Sequence, residues 1–264
     1  LHQLNAAGYA VTLTLGFVAL LIWWRKTAGL GRSPAGWSKF SHRFRKPFPL
    51  AFFILAGLAF LGGALYPPSN YDALAYRTPR VLHWLAADQW HWIHTVFSRI
   101  NTRSCGIEWV SAPVLALLKT DRPLFLINIV SFLLLPGLVF SVFTRLGVRR
   151  RVAWYWMWIT PTGYGFLLQA GSLGNDLFGA TFVLAAVDLA LRAKTSHAPR
   201  DFLTSVLAAA MLTSAKTSNL PLLLPWALAI LPSLKLTGRM PRKTVVVCSL
   251  ALLASALPTM VLNE

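Results

Sequence analysis

The chain has 264 residues, 56% of them hydrophobic and 12% charged, with 25 Lys and Arg against 8 Asp and Glu. Charge-free stretches of about 15 to 20 residues at this composition exclude an ordinary water-soluble domain and point to a polytopic membrane protein. So basic a balance would mark a nucleic-acid partner in a soluble domain, but in a membrane protein the position of each charge decides its meaning.

Apolar runs predict an all-α bundle of about eight spans, near 8–24, 49–66, 123–144, 152–168, 177–191, 202–214, 218–234 and 244–262. The first span and the loop after it form a leading unit, 1–48, and residues 49–264 form the membrane core. Because the chain starts at Leu1 and stops at Glu264 straight after an apolar run, it is expected to be a piece of a longer protein, with the core incomplete at its C-terminus.

The loop after the first span carries Arg25, Lys26, Arg32, Lys39, Arg43, Arg45 and Lys46 and no acid. Loops of this kind stay in the cytosol. Alternation then places 145–151, 192–201 and 235–243 on the same side, each of them rich in Lys and Arg. Asp72, Asp88, Glu108, Asp121, Asp176 and Glu264 fall outside, and Asp188 and Asp201 lie near the inner ends. The net charge is thus accounted for by topology, and nucleic-acid binding loses its support. Cys105 and Cys248 fall on opposite sides of the membrane, so no disulfide between them is expected.

The longest external segment, 67–122, exceeds a bare connector. Within it, "TPRVLHWLAADQWHWIHTVF" reads as an amphipathic helix along the membrane surface. Val81, Leu82, Leu85, Trp92, Ile93, Val96 and Phe97 fall on one face, and His83, Ala87, Trp90, His91 and His94 on the other. His83 and His94 are about 16 Å apart along such a helix and cannot share an ion; His91 and His94 alone make a weak pair. The tryptophans here and in "WYWMWIT" read as interfacial or lipid-facing aromatics, and one of those in the loop is a candidate for stacking on a sugar ring.

Two stretches concentrate polar chemistry on the external side. "YPPSNYDALAYRTPRVLHW" places Asp72 among Tyr71, Tyr76, Arg77 and Arg80, although Asn70 and Asp72 also read as turn formers. "QAGSLGNDLFG" places Asn175 and Asp176 at the outer end of a helix pair, where Ser172, Asn175 or Asp176 serves equally as a helix cap. Lys216 turns at the same face, where it must snorkel or find an anion. No nucleophile elbow, phosphate loop, dinucleotide fingerprint or zinc-protease motif is present.

An external Asp soon after a core helix, then an amphipathic segment, then "LQAGSLGNDL" at the end of a later helix pair, resembles the GT-C class of membrane glycosyltransferases. The nearest branch is that of bacterial relatives of protein O-mannosyltransferases and aminoarabinose transferases, and the likeness covers residues 49–230. It implies a sugar donor linked to polyprenyl phosphate, an acceptor on the outer face of a bacterial plasma membrane, and Asp72 as the base of an inverting single displacement. Arg77, Arg80 and Lys216 are then the cations for the leaving phosphate, with Tyr76, Asn175 and Asp176 completing the substrate site. Ala73 stands where the mannosyltransferases carry a second acid, and the first span is an addition to the core. A divalent metal held by Asp72 and Asp176 ranks second to the arginines, and no cofactor is otherwise implied. The competing functions are translocation of a lipid-linked anion and a non-catalytic membrane subunit.

Overall fold

The computed structural model describes residues 3–28 and 46–262 and is all-helical, with no strand among the described residues. The basic positions Arg32, Lys39, Arg43 and Arg45, and the two chain ends, lie outside the described residues. Helix α1 runs Ala6–Ala28 and α2 Pro47–Leu65, the latter opened by a proline at its first turn, where the missing N–H costs nothing. A widened turn at Ala73–Arg77 leads into α3, Thr78–Ala86, and α4 is Gly106–Leu118. Next come α5, Leu126–Arg145, extended at its start by a tight turn over Arg122–Phe125, then α6, Arg150–Ile159, and α7, Tyr164–Ala170. The chain continues through α8, Asn175–Ser196, α9, Pro199–Ala215, α10, Leu223–Ile230, α11, Pro241–Ala254, and α12, Leu257–Leu262.

Every one of the eight apolar runs lies mostly on helix, but among the described residues three helical stretches are long and apolar enough to cross a membrane: Pro47–Leu65, Arg122–Arg145 and Thr217–Arg239. Eight crossings are not supported. The shortfall has specific causes. The run expected over 152–168 is broken by turns at 160–163 into helices of 10 and 7 residues, roughly 15 and 10 Å long. Helix α8 has the length but carries Asp176, Asp188, Arg192 and Lys194, and α9 and α11 have 17 and 14 residues. Helix α1 is apolar over Ala6–Ile22, a shorter stretch.

The surface helix over 78–97 is also corrected. Helix α3 ends at Ala86, and Asp88 then takes φ 54°, a left-handed conformation that stops helix propagation. Its buried side is Arg80, Val81 and Trp84, while Leu82 is exposed. Trp84 faces neither lipid nor water: it stacks on Trp109 at 5.3 Å and meets Trp90 edge-on at 6.5 Å. Trp158 likewise is buried, between Phe52 and Trp154, whereas Trp156 is exposed as expected.

The two largest apolar cores among the described residues organise the bundle. One lies beneath the 67–122 segment and gathers Ala73, Tyr76, Val81, Trp84, Ile107 and Leu173, with Leu4 and Tyr9 of the leading unit packed against it. The other joins α2, α5, α6 and α8 through Phe52, Phe132, Val139, Trp158 and Leu177. Helices α8 and α9 meet through alanines, Ala186, Ala208 and Ala209 among them, which lets Ser205 Oγ donate to the Ala186 carbonyl at 2.8 Å. At the opposite end from Asp72, Arg145 pairs with Asp188 at 2.7 Å and Arg192 with Asp201 at 3.3 Å.

Candidate functional site

The site is built where α2 ends and the 169–174 turn crosses it. Gly63 and Gly171 make that crossing possible: a Cβ on Gly171 would stand 2.5 Å from the Ala59 carbonyl oxygen, and one on Gly63 would enter the Phe125 ring. Three asparagines then tie the turns together. Asn128 Nδ2 from α5 donates to the carbonyls of Gln169, Ser172 and Gly174 at 3.1, 2.9 and 2.9 Å. Asn70 donates to the Leu173 carbonyl at 2.9 Å and accepts from the Ala73 amide at 2.6 Å. Asn175 donates to the Ala215 carbonyl at 2.8 Å, which fixes the end of α9 and hence Lys216. The start of α8 is satisfied by Gln169, whose Oε1 accepts from the Leu177 amide at 3.1 Å, and not by Ser172, Asn175 or Asp176.

Asp72 stands directly before the widened turn at Ala73–Arg77, where backbone bonding runs from residue i to i+5. That spacing brings Arg77 back over Asp72, Nη2 to Oδ2 at 3.6 Å, and lets Arg77 donate to the Tyr76 hydroxyl at 3.0 Å. Behind them, Arg77 and Arg80 both reach Glu108 Oε1 at 3.4 Å. This group is sealed: Arg77 and Arg80 are 1% exposed and Glu108 is 0% exposed. Arg80 also donates to the carbonyls of Arg103 and Arg99 at 2.9 and 3.0 Å, holding the turn Arg99–Thr102 in place. The Tyr76 ring lies 5.0 Å from the Arg77 guanidinium carbon and 5.7 Å from that of Arg80, within cation–π range.

These elements enclose a cavity of about 190 Å³. Of the residues expected at the site, Asp72, Tyr76, Asn175 and Lys216 line it. Asp176 stands beside it, accepting from Lys216 Nζ at 2.9 Å and from Gln169 Nε2 at 2.9 Å. Arg77 and Arg80, expected beside the phosphate, do not line it and are buried behind Asp72. The cations that do line it with Lys216 are Arg99 and Arg103, both exposed, joined by Ser104 and Thr217, whose hydroxyls share a short hydrogen bond. Their signal in "SRINTRSC" is a pair of arginines at i and i+4, which a single turn of helix sets on one side.

Burial pushes the Tyr76 phenol up to about 12, against the pull of the Arg77 charge and with Asp72 and Glu108 adding to the rise. It is a neutral hydrogen-bond donor through the physiological range. For Asp176, desolvation raises the pKa, but the hydrogen bonds from Lys216 and Gln169 and the Lys216 and Arg77 charges outweigh it, and the net shift is downward. Asp176 is therefore a fixed anion. Its oxygens accept from Lys216 and Gln169, while Asp72 faces Arg77. Among the described residues no three of His, Cys, Asp and Glu stand together, His83, His91 and His94 included.

The arrangement offers one half-exposed carboxylate, with Asp72 46% exposed, opposite three cations at the mouth of a small polar cavity. Comparison with known families, with characterised proteins and with solved structures finds no match.

Proposed function

We propose that the chain is a membrane glycosyltransferase that moves a sugar from a polyprenyl-phosphate carrier to an acceptor hydroxyl on the external side of a bacterial plasma membrane, with Asp72 as general base. The observation that carries this reading is the cavity itself: one carboxylate free enough to take a proton, faced by Arg99, Arg103 and Lys216 and by no second free acid among its lining residues.

In the proposed step the acceptor oxygen forms its bond to the anomeric carbon as the bond from that carbon to the phosphate oxygen breaks. Asp72 receives the acceptor proton, and the electron pair of the broken bond leaves with the carrier phosphate. Arg99 and Arg103 are suited to the two non-bridging oxygens, since a guanidinium presents paired donors. Lys216 already shares its charge with Asp176 and contributes less. Attack opposite to the leaving group inverts the anomeric configuration. A carboxylate is a weak base toward a free hydroxyl, but the acceptor proton becomes acidic as its oxygen bonds to a cation-like sugar, so proton transfer late in the step suffices.

The test is product formation. Incubating the purified protein with a polyprenyl-phosphate sugar and a hydroxyl acceptor should release polyprenyl phosphate and yield a glycoside of inverted configuration. Movement of intact donor across vesicles with no release would mark a translocator instead, and neither outcome would mark a non-catalytic subunit.

A further inference from the structure

A second and larger cavity, about 930 Å³, lies at the end of the bundle opposite the Asp72 cleft. The length of α2 separates the two: Pro47 and Phe48 at its start line this cavity, whereas Leu65 at its end leads to Asp72. At 19 residues that distance is roughly 28 Å, about the thickness of a bilayer's hydrocarbon core. Its walls come from the start of α2, the end of α5 and the start of α6, and the residues that give it chemical character are Lys46, Arg150, Arg151, Phe48, Trp154 and Tyr155.

Among the described residues no carboxylate lines this cavity, and Lys46, Arg150 and Arg151 form no ion pair there. The neighbouring Arg145, by contrast, is neutralised by Asp188 at 2.7 Å. Lys46, Arg150 and Arg151 are exposed, and three cations around one hollow raise its positive potential and favour an anion there. The aromatic side of the wall gives the depth. Lys46 Nζ lies 5.9 Å over the Trp154 ring, and Phe48 meets Tyr155 edge-on at 5.6 Å. Phe48 and Tyr155 are exposed, which for apolar rings at the end of a membrane-length helix is the position of the headgroup boundary. A water-soluble anion needs no such apolar rim; a lipid with a phosphate headgroup and acyl chains matches both parts.

We infer that this cavity is a binding site for the phosphate headgroup of an anionic phospholipid, held by Lys46, Arg150 and Arg151 with its glycerol and upper acyl chain against Phe48, Trp154 and Tyr155. The site is independent of the glycosyl-transfer reading, being at the other end of the bundle and sharing no residue with it.

The experiment is lipid retention by the full chain purified in detergent, read by native mass spectrometry with phosphatidylglycerol or cardiolipin, with phosphatidylcholine, and with inorganic phosphate as probes. The wild-type protein should retain the anionic lipids in preference to phosphatidylcholine. The variant Lys46→Gln/Arg150→Gln/Arg151→Gln should lose that retention about tenfold or more, and Lys46→Gln or Arg151→Gln alone about threefold to fivefold. Removing as much charge at the same end with Lys235→Gln/Arg242→Gln/Lys243→Gln should leave it within about twofold, since a delocalised surface potential is not a site. Equal loss in that control, no loss in the single and triple variants, or competition by inorganic phosphate as effective as that by lipid would overturn the assignment.

Discussion

Two groups of opposite charges flank the Asp72 cleft, and they differ in almost every respect except sign. Arg77, Arg80 and Glu108 are sealed from water, and the three hold one another through a single carboxylate oxygen. Lys216 and Asp176 meet at the surface, 40% and 53% exposed, at the shorter distance of 2.9 Å. The shorter contact is the weaker contributor. Water screens the exposed pair, while removal of one partner from the sealed group leaves charge stranded in a low dielectric. The buried group is therefore the scaffold that aims Asp72 and clamps the Arg99–Arg103 turn, and the exposed groups are free to act on a ligand.

The sharpest way to break this contrast is to separate chemistry from stability at Asp72. Asp72→Asn keeps the shape and removes the base, so transfer should fall by about 10²- to 10⁴-fold. Its thermal midpoint in detergent should shift little, because a half-exposed partner contributes no more than about 1 kcal/mol. Normal turnover by the Asn variant would end the assignment of Asp72 as base.

Glu108 should behave in the opposite manner. Glu108→Ala leaves Arg77 and Arg80 buried without their shared acceptor, and the expected cost is about 3–5 kcal/mol of stability, read as loss of monodisperse protein or a lower unfolding midpoint. Glu108→Gln retains one acceptor oxygen and should lose less. In whatever fraction of that variant folds, kcat should fall more than donor KM rises, since Glu108 touches the scaffold of Asp72 and not the substrate. An unaltered midpoint in Glu108→Ala would show that the sealed group is not structural.

Arg99 and Arg103 provide an intermediate case. Arg80 binds their backbone carbonyls, so Arg99→Gln and Arg103→Gln leave the clamp in place and remove only the exposed charges. Each should lower kcat/KM for a polyprenyl-phosphate sugar by about tenfold or more with the fold intact, as the loss of a charge-assisted hydrogen bond requires.

How far the sequence carried this picture depends on which interactions are local. The eight helical runs follow from apolar patterning, and the two polar stretches that carry Asp72, Tyr76, Asn175 and Asp176 stand out by composition, whereas their meeting with Lys216 around one cavity does not. What was not legible is long-range. The burial of Arg77 and Arg80 is made tolerable by Glu108, about thirty positions on in "GIEWV", which both arginines reach. The widened turn at Ala73–Arg77 has no composition signal, yet it decides that Arg77 stands over Asp72. The end of α3 hinged on the left-handed residue Asp88, in a stretch whose apolar spacing continues past it. Spans were overcounted because apolar composition does not distinguish a crossing from a shorter helix packed in a bundle, and the break at 160–163 falls within one such run.

The smallest expected effect tests the exposed side of the comparison. The carboxyl of Asp176 is held below its usual 3.8 in the folded chain. A depressed acid contributes stability that is fully present above its unfolded pKa and is lost as pH falls through the folded one, so the contribution is complete at neutral pH and disappears below about pH 4. Because both partners are substantially exposed, its size should not exceed about 1 kcal/mol. Lys216→Ala should therefore lower the unfolding midpoint slightly at pH 7, and the difference from wild type should close as the pH is taken below about 4. The same variant should weaken use of the lipid donor by a few-fold only, less than Arg99→Gln, because Asp176 already neutralises part of the lysine charge. A loss as large as that of the arginine variants, or a stability difference that widens in acid, would move Lys216 from the exposed class into the sealed one.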